Sequence, residues 1–573
     1  MPAGNAPPGQ RLPSGVWQPP AGGAPVPALA GPAVAAVRPP SVLRRRWPGP
    51  AAAATPGVLG TLAGAAGVAA LSIPLTRTGL GWLVAGFAGT AALLTAAASS
   101  GGRPTDAAAD GAPDTPERAG GATRRLGRLR RLGGARPLWA LATLALLGVG
   151  TIRAAGWLFV LCLLTAGVTA TLTVADGRSV RGLLFSGLIP PAAVIRALPW
   201  AARGLDGSGR PDGGGRIGRT VGTVVVSAVL LLVFGLLLSS ADAAFARQLD
   251  QVLPDLSVPT VFRWIFLFVA VGAGLLGAAY VLTAPPDLTG LTIGSDRARL
   301  RRFDWMLPVA LLDLLFAGFV AVQLTTLFGG DDHVLRTAGL TYAEYARGGF
   351  WQLLAVSVLT LLVIGAAAWW APRNGRTDRV LIRLLLGALT LLSLVIVASA
   401  LYRMDVYADA YGATRLRLLV AACELWIGLL FVLVAVAGIR LAGAWLPRLA
   451  IGTAVVALLG LAVANPDRLI AERNVELWRK TGRIDVWYLG QLSADAVPAL
   501  DQLPEPLRGC ALIPIAGDLV DRTDRYGSGD DRRHLADDWH EFNLGRAEAR
   551  RILVEHPVPS VRASMSLPSA RCG

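Results

Sequence analysis

Apolar residues fall along this chain in long, unbroken runs, and the short polar stretches between them are rich in arginine. A bilayer core of about 30 Å takes about 20 residues of apolar helix, because backbone amides find no water to bond there. Eleven runs meet or approach that length, near 57–76, 80–98, 138–152, 156–175, 220–240, 261–283, 305–328, 350–370, 380–401, 416–438 and 445–464. The third is short, and Arg153 directly after it must snorkel or find a partner. A further segment, "VRGLLFSGLIPPAAVIRALPW", holds Arg181, Arg196, Pro190 and Pro191 and reads as an interfacial or broken helix instead of a span.

The pattern predicts an all-α, polytopic transmembrane helix bundle of about eleven spans. Composition agrees: with 53% hydrophobic and 16% charged residues in 573, the apolar surface exceeds what one soluble core can bury. Residues 1–55 are rich in Pro, Ala and Gly without periodicity and are expected to be disordered. The first run begins far from the start, near Pro56, and reads as a retained anchor, not a cleaved signal.

The net charge of +16 raises the question of a nucleic-acid partner. The arginines cluster beside apolar runs without forming one basic stripe, so the partner implied is the lipid bilayer, with no nucleic acid. Alternate connections carry them: Arg44, Arg45 and Arg46 before the first run, Arg124 to Arg131 in the second connection, Arg297 to Arg302 in the sixth, Arg373 to Arg379 in the eighth. Cytoplasmic loops retain positive charge. The alternation places the N-terminus in the cytoplasm and, after an odd number of spans, the tail outside. The expected divisions are a cytoplasmic segment 1–55, four spans over 56–175 with an Arg-rich loop 99–137, the interfacial helix and Gly-rich linker 176–219, seven spans over 220–464, and a helical extracytoplasmic tail 465–573.

That topology sends all four histidines and seven of the eight tyrosines to the outer face. Two outer stretches are dense in chemistry. "LTYAEYARGGFWQL" holds Tyr342, Tyr345 and Arg347, and "LYRMDVYADAYGATRLRL" holds Arg403, Tyr407 and Tyr411 at helical spacing, followed by Arg415. Arginine beside tyrosines can take a carboxylate, phosphate or sugar, or it can pair with Asp405 and Asp409 in an interface belt. Inside the spans, Asp313 and Glu424 each lie about 12 Å deep, either as steps of a proton or cation path or as groups satisfied by a neighbour. No HExxH, GxSxG, Walker loop or zinc spacing occurs, so no catalytic residue, cofactor or metal is assigned and the balance leans away from an enzyme. Cys162 and Cys423 lie within spans. Cys510 and Cys572 lie in the tail, where an oxidising exterior would let them pair.

The tail opens with "ANPDRLIAERN". Asn465 is the expected N-cap, Pro466 the first helical residue, Asp467 a charge opposing the helix dipole and Gly482 the stop, with Leu469, Ile470, Asn474, Leu477 and Trp478 as the apolar face. Two short helices follow, the second capped by Ser493, and "DDRRHLADDWHEFNLGRAEARRILVEH" reads as another amphipathic helix.

The pieces "TTLFGG", "YARGGFWQL", "YRMDVYADAYGATRLRL", "NPDRLIAERN", "DVWYLGQLSADAVPAL" and "WHEFNLGRAEAR", in this order over about 320–550, resemble the bacterial polytopic membrane proteins of the domain-of-unknown-function 4173 type, close to the 4153 type. The resemblance implies the architecture and carries no activity or catalytic residue. The expected function is therefore a non-enzymatic plasma-membrane sensor or scaffold acting through its outer face, with a membrane or envelope protein as partner. The alternative is a transporter of a lipid or small solute with Asp313 and Glu424 in its path. A transferase using Asp405 or Asp409 as base is the weakest reading.

Overall fold

Start signals recur at the heads of the apolar helices. Pro56 opens the first one, where a missing N–H costs nothing, and the Thr55 hydroxyl accepts from Val58 N at 3.4 Å. The computed structural model describes residues 47, 49–50, 52–100, 135–175, 189–206, 258–285, 301–328, 350–372, 375–441, 443–520 and 538–558, with residues 227, 234 and 238 between them. In chain order the apolar helices are α1 (Pro56–Ser72), α2 (Leu80–Ser100), α3 (Arg136–Ile152), α4 (Gly156–Ala175), α5 (Ile189–Asp206), α6 (Val258–Thr283), α7 (Arg302–Phe328), α8 (Phe350–Trp370), α9 (Arg376–Tyr411), α10 (Arg415–Arg440) and α11 (Leu446–Ala464). The tail adds α12 (Pro466–Thr481), α13 (Val486–Leu489), a 3₁₀ turn (Ala494–Ala496), α14 (Val497–Leu500), α15 (Leu507–Val520) and α16 (Leu544–Glu555). No strand occurs among the described residues.

Among the described residues eight helices, α2, α4 and α6 to α11, are long and apolar enough to cross a membrane. Of the other three expected spans, two are the 17-residue apolar helices α1 and α3. The third, 220–240, falls almost wholly outside the described residues. The segment expected to be interfacial overlaps α5, which is not among the eight. Helix α9 has 36 residues, about 54 Å of helix, and so carries "YRMDVYADAY" on as regular helix until Gly412 ends it at φ 79°.

Buried apolar clusters hold the described helices together. Helices α1, α2, α5 and α6 meet around Leu62, Ala92, Ala197 and Ala279. Helices α3 and α4 meet α11 through Leu146, Leu158 and Val455, and α7 to α10 share Phe316, Leu389, Ile427 and Phe431. Helix α11 also contacts α10, where Trp426 Nε1 donates to Thr453 Oγ1 at 3.2 Å. The last apolar helix therefore joins the first half of the chain to the second. Close approach uses glycine: a Cβ on Gly86 of α2 would stand 2.7 Å from Leu147 Cδ1 of α3. Outward, Leu164, Leu314, Leu362, Leu391 and Ile439 are exposed on five different helices, a surface that suits lipid and not water.

Arg153 does not snorkel. Its Nε donates to Ala462 O at 2.6 Å and its Nη2 to Val463 O at 3.1 Å. It thus satisfies the last carbonyls of α11, where a cation also suits the helix dipole.

Candidate functional site

The tail leaves α11 through Asn465, whose left-handed backbone (φ 54°) turns the chain directly into α12. Its side chain makes no capping bond, and its Oδ1 is buried without a partner. Asn465 therefore supplies the positive φ that asparagine tolerates, in place of the side-chain cap expected of it.

Asp467 follows, shielded completely from solvent. Arg415, in the first turn of α10, donates Nε to Oδ1 at 3.0 Å and Nη2 to Oδ2 at 2.5 Å, the bidentate fork that arginine geometry favours. Trp157 Nε1, near the start of α4, donates to Oδ1 at 3.1 Å, and Ser493 N donates to Oδ2 at 2.8 Å. Burial pushes the carboxyl upward, but the Arg415 guanidinium and Ser493 outweigh it and hold Asp467 below the ordinary carboxylate range. The Arg415 backbone N–H also donates to Tyr488 Oη at 2.7 Å. Asp467 was expected to face its own helix dipole; it is spent instead on joining α12 to α10 and α4. The buried face of α12 turns accordingly, to Asp467, Ile470, Ala471 and Val475, leaving Leu469, Leu477 and Trp478 half-buried.

A second carboxylate lies beside the first. Asp495 Oδ2 accepts from Ala154 N at 2.8 Å, Ala155 N at 3.1 Å and Ser493 Oγ at 3.2 Å. It thereby satisfies amides at the entrance to α4. Its Oδ1 is buried without a partner, and a Cβ on Gly545 would stand 1.9 Å from it. Burial pushes this carboxyl up, the Ala154 and Ala155 amides pull it back, and the Asp467 carboxylate pushes again; the net direction is upward. Ser493, expected to cap a helix, makes no side-chain cap bond; its N–H serves one carboxylate and its hydroxyl the other.

Two further contacts fasten the tail. Asn543 caps α16 at Arg546 N (3.0 Å) and donates Nδ2 to Gly150 O at 2.8 Å. The buried Arg546 donates Nη2 to Thr78 O at 2.8 Å and to Glu541 O. The first amides of α2 find tail carbonyls, Leu80 N on Phe542 O at 3.1 Å and Gly81 N on His540 O at 2.9 Å. Near α12, Asn474 Nδ2 donates to Ala413 O at 2.8 Å. The tail therefore touches the connections 73–79, 153–155 and 412–414, all at one end of the bundle.

Of the expected outer cluster, Tyr342, Tyr345 and Arg347 lie outside the described residues. Tyr407 is placed on α9, Tyr411 is exposed at its end, and Arg415 belongs to the Asp467 hub. Arg403 turns to α7, donating to Gln323 Oε1, which also accepts from Ser399 Oγ at 3.1 Å. The two arginines thus reach different partners. Glu424 is buried on the α10 face that carries Val420, Ile427 and Phe431, and neither of its carboxylate oxygens has a hydrogen-bond partner. A Cβ on Gly428 would lie 3.2 Å from Val397 Cγ1. That antiparallel register sets Glu424 at the height of Arg403 and Ser399. Asp313, also without partners for either oxygen, lies ten residues before Gln323 on α7, about 15 Å lower.

Trp157, Asp495, Asn543 and Arg546 were not singled out from the sequence, although all but Trp157 stand in the quoted tail pieces. Cys510 is disulfide-bonded, with its partner outside the described residues, while Cys162 and Cys423 are free. Among the described residues no group of His, Cys, Asp and Glu is placed to hold a metal ion.

A match to the family described as domain of unknown function (DUF4153) covers residues 141–503, more than half of the chain. The chain belongs to this family. It is the 4153 type to which the motif resemblance was close. No curated protein and no solved structure matches it. The DUF4153 region runs from the first turns of α3 to just beyond α14, so it contains every member of the Asp467 hub, Trp157, Arg415, Tyr488, Ser493 and Asp495 included. Helices α1 and α2 and the Asn543–Arg546 anchor fall outside it.

Proposed function

We propose that this protein is a non-enzymatic sensor or scaffold of the plasma membrane, working through the tail-covered end of its bundle. In this reading the N-terminus is cytoplasmic, the tail is extracytoplasmic and about eleven spans cross the bilayer. The carrying observation is the Asp467 hub, which ties the tail to α10 and α4 through three hydrogen-bond donors, two from Arg415 and one from Trp157. A partner that pulls or presses on the tail acts directly on the ends of those helices, because the junction is a buried ion pair and not a flexible linker. The ordered pieces over about 320–550 are the ground for the 4173-type assignment, which goes beyond the DUF4153 match.

A transporter is the second reading, favoured by the unbonded carboxylates of Asp313 and Glu424. Paired assays separate the two. A sensor or scaffold loses its cellular phenotype on Asp467→Ala, with the protein still inserted, and keeps it with Asp313→Asn and Glu424→Gln. Proton- or ion-coupled flux in proteoliposomes that vanishes with Asp313→Asn and Glu424→Gln would replace it with the transporter.

A further inference from the structure

Helix α5 divides into three sectors. Ala193, Ala197, Trp200 and Gly204 recur at three- and four-residue spacing and are buried against α1 and α6. Ile195, Leu198 and Leu205 recur on another face and are 71%, 59% and 60% exposed. Arg196 and Arg203, seven residues apart, form a third row on the side away from that apolar face.

Its position is fixed by hydrogen bonds. Trp200 Nε1 donates to Ala52 O at 2.9 Å, Ala54 N donates to Trp200 O at 3.4 Å, and Trp47 Nε1 donates to Ala284 O at 2.8 Å. Tyr280 packs on Trp47 and Trp200, with ring centroids 5.6 and 5.9 Å away. Thus α5 lies at the start of α1 and the end of α6, at the end of the bundle opposite the tail. The Arg196 guanidinium carbon sits 5.2 Å from the Trp47 ring centroid, and its Nη1 is buried without a hydrogen-bond partner. No carboxylate pairs with Arg196 or Arg203 among the described residues.

We propose that α5 is a membrane-surface helix that binds anionic phospholipid headgroups at the end of the bundle opposite the tail. One sector clamps it to α1 and α6, the Ile195, Leu198 and Leu205 face enters the acyl-chain boundary, and Arg196 and Arg203 meet the phosphates. Three arguments select lipid over a protein partner. The helix sits where the apolar helices end, its exposed apolar face and its arginines point to different sides as an interface requires, and its arginines have no acidic partner among the described residues.

Two measurements on the full-length protein test it. A nitroxide on Leu198→Cys, in a Cys162→Ala/Cys423→Ala background reconstituted in phosphatidylcholine and phosphatidylglycerol vesicles, should be relaxed by oxygen and protected from a water-soluble nickel complex. Relaxation by nickel, or protection from both reagents as under a protein partner or second copy, overturns the proposal. In native mass spectrometry the wild type should retain phosphatidylglycerol over phosphatidylcholine, and Arg196→Gln and Arg203→Gln should each lower that affinity roughly fivefold. Equal retention by wild type and the double variant overturns the headgroup assignment even where the depth measurement succeeds.

Discussion

Arg415 and Asp467, 52 positions apart in the chain, meet through two hydrogen bonds around a carboxylate with no solvent exposure. Removing one partner strands the other. Asp467→Ala should destabilise the protein, by less than the about 3–5 kcal/mol of a fully buried pair because the Arg415 side chain left behind is 33% exposed, and Arg415→Lys should also weaken it because an ammonium cannot reproduce the fork. The Asp467→Asn/Arg415→Gln pair should recover part of the loss. Thermal unfolding in detergent, run as a double-mutant cycle, reads this, and additive losses would show that the two do not act as a pair.

The two carboxylates at Ser493 should respond to pH in opposite directions. Asp467 is held low in the folded state, so its contribution is present above the unfolded value of about 3.9 and is lost as pH falls through its folded pKa. Asp495 is raised, so its contribution is present below about 3.9 and is lost as pH rises through its folded pKa. Asp495→Asn should therefore gain stability relative to wild type as pH rises, whereas the deficit of Asp467→Asn should shrink as pH falls. Hydrogen exchange of the tail amides across this window checks both signs.

Asn543 is both the cap of α16 and the donor to Gly150 O. Asn543→Ala removes a cap worth about 1 kcal/mol and leaves a carbonyl without its donor, adding about 1–3 kcal/mol. Faster exchange confined to α16 and the start of α2 is the expected signature. Uniform loss of protection throughout the bundle would contradict a local anchor.

Glu424 is buried with no hydrogen-bond partner for either oxygen. Glu424→Leu should raise stability by about 1–3 kcal/mol, because a group of similar size replaces an unsatisfied polar one. A lower unfolding midpoint would reveal a partner that the buried carboxyl holds in place.

Cys510 and Cys572 are the pair expected from an oxidising exterior. Peptide mapping of protein from intact cells without reductant should find them joined and Cys162 and Cys423 as thiols. A disulfide between Cys510 and any other cysteine would refute the pairing.

The apolar helices were legible because about 20 residues of unbroken hydrophobicity have few other structural solutions. Pro466 and Gly482 marked α12 for an equally local reason. Asn465 misled because the residue types that cap helices also tolerate positive φ, and only the backbone path decides between them. Asp467 does stand in the first turn of α12, at the helix end it is expected to oppose, but its partner Arg415 lies two helices back and has no local sign in the sequence. That contact also turns the buried face of α12 toward Asp467, Ile470, Ala471 and Val475. Asp495 and Arg546 were passed over because a charged residue in a polar stretch gives no local sign that it will be buried. Their partners, Ala154, Ala155 and Thr78, are backbone groups hundreds of positions away.

Arg153 ends α3, yet the carbonyls it satisfies belong to residues 309 and 310 positions later. Because the chain is made from its N-terminus, this guanidinium stays unclaimed and the seam of α3 and α4 for α11 stays open until the final apolar helix has been made. A chain stopped before Leu446 should be a substrate for membrane quality control and not a smaller working protein.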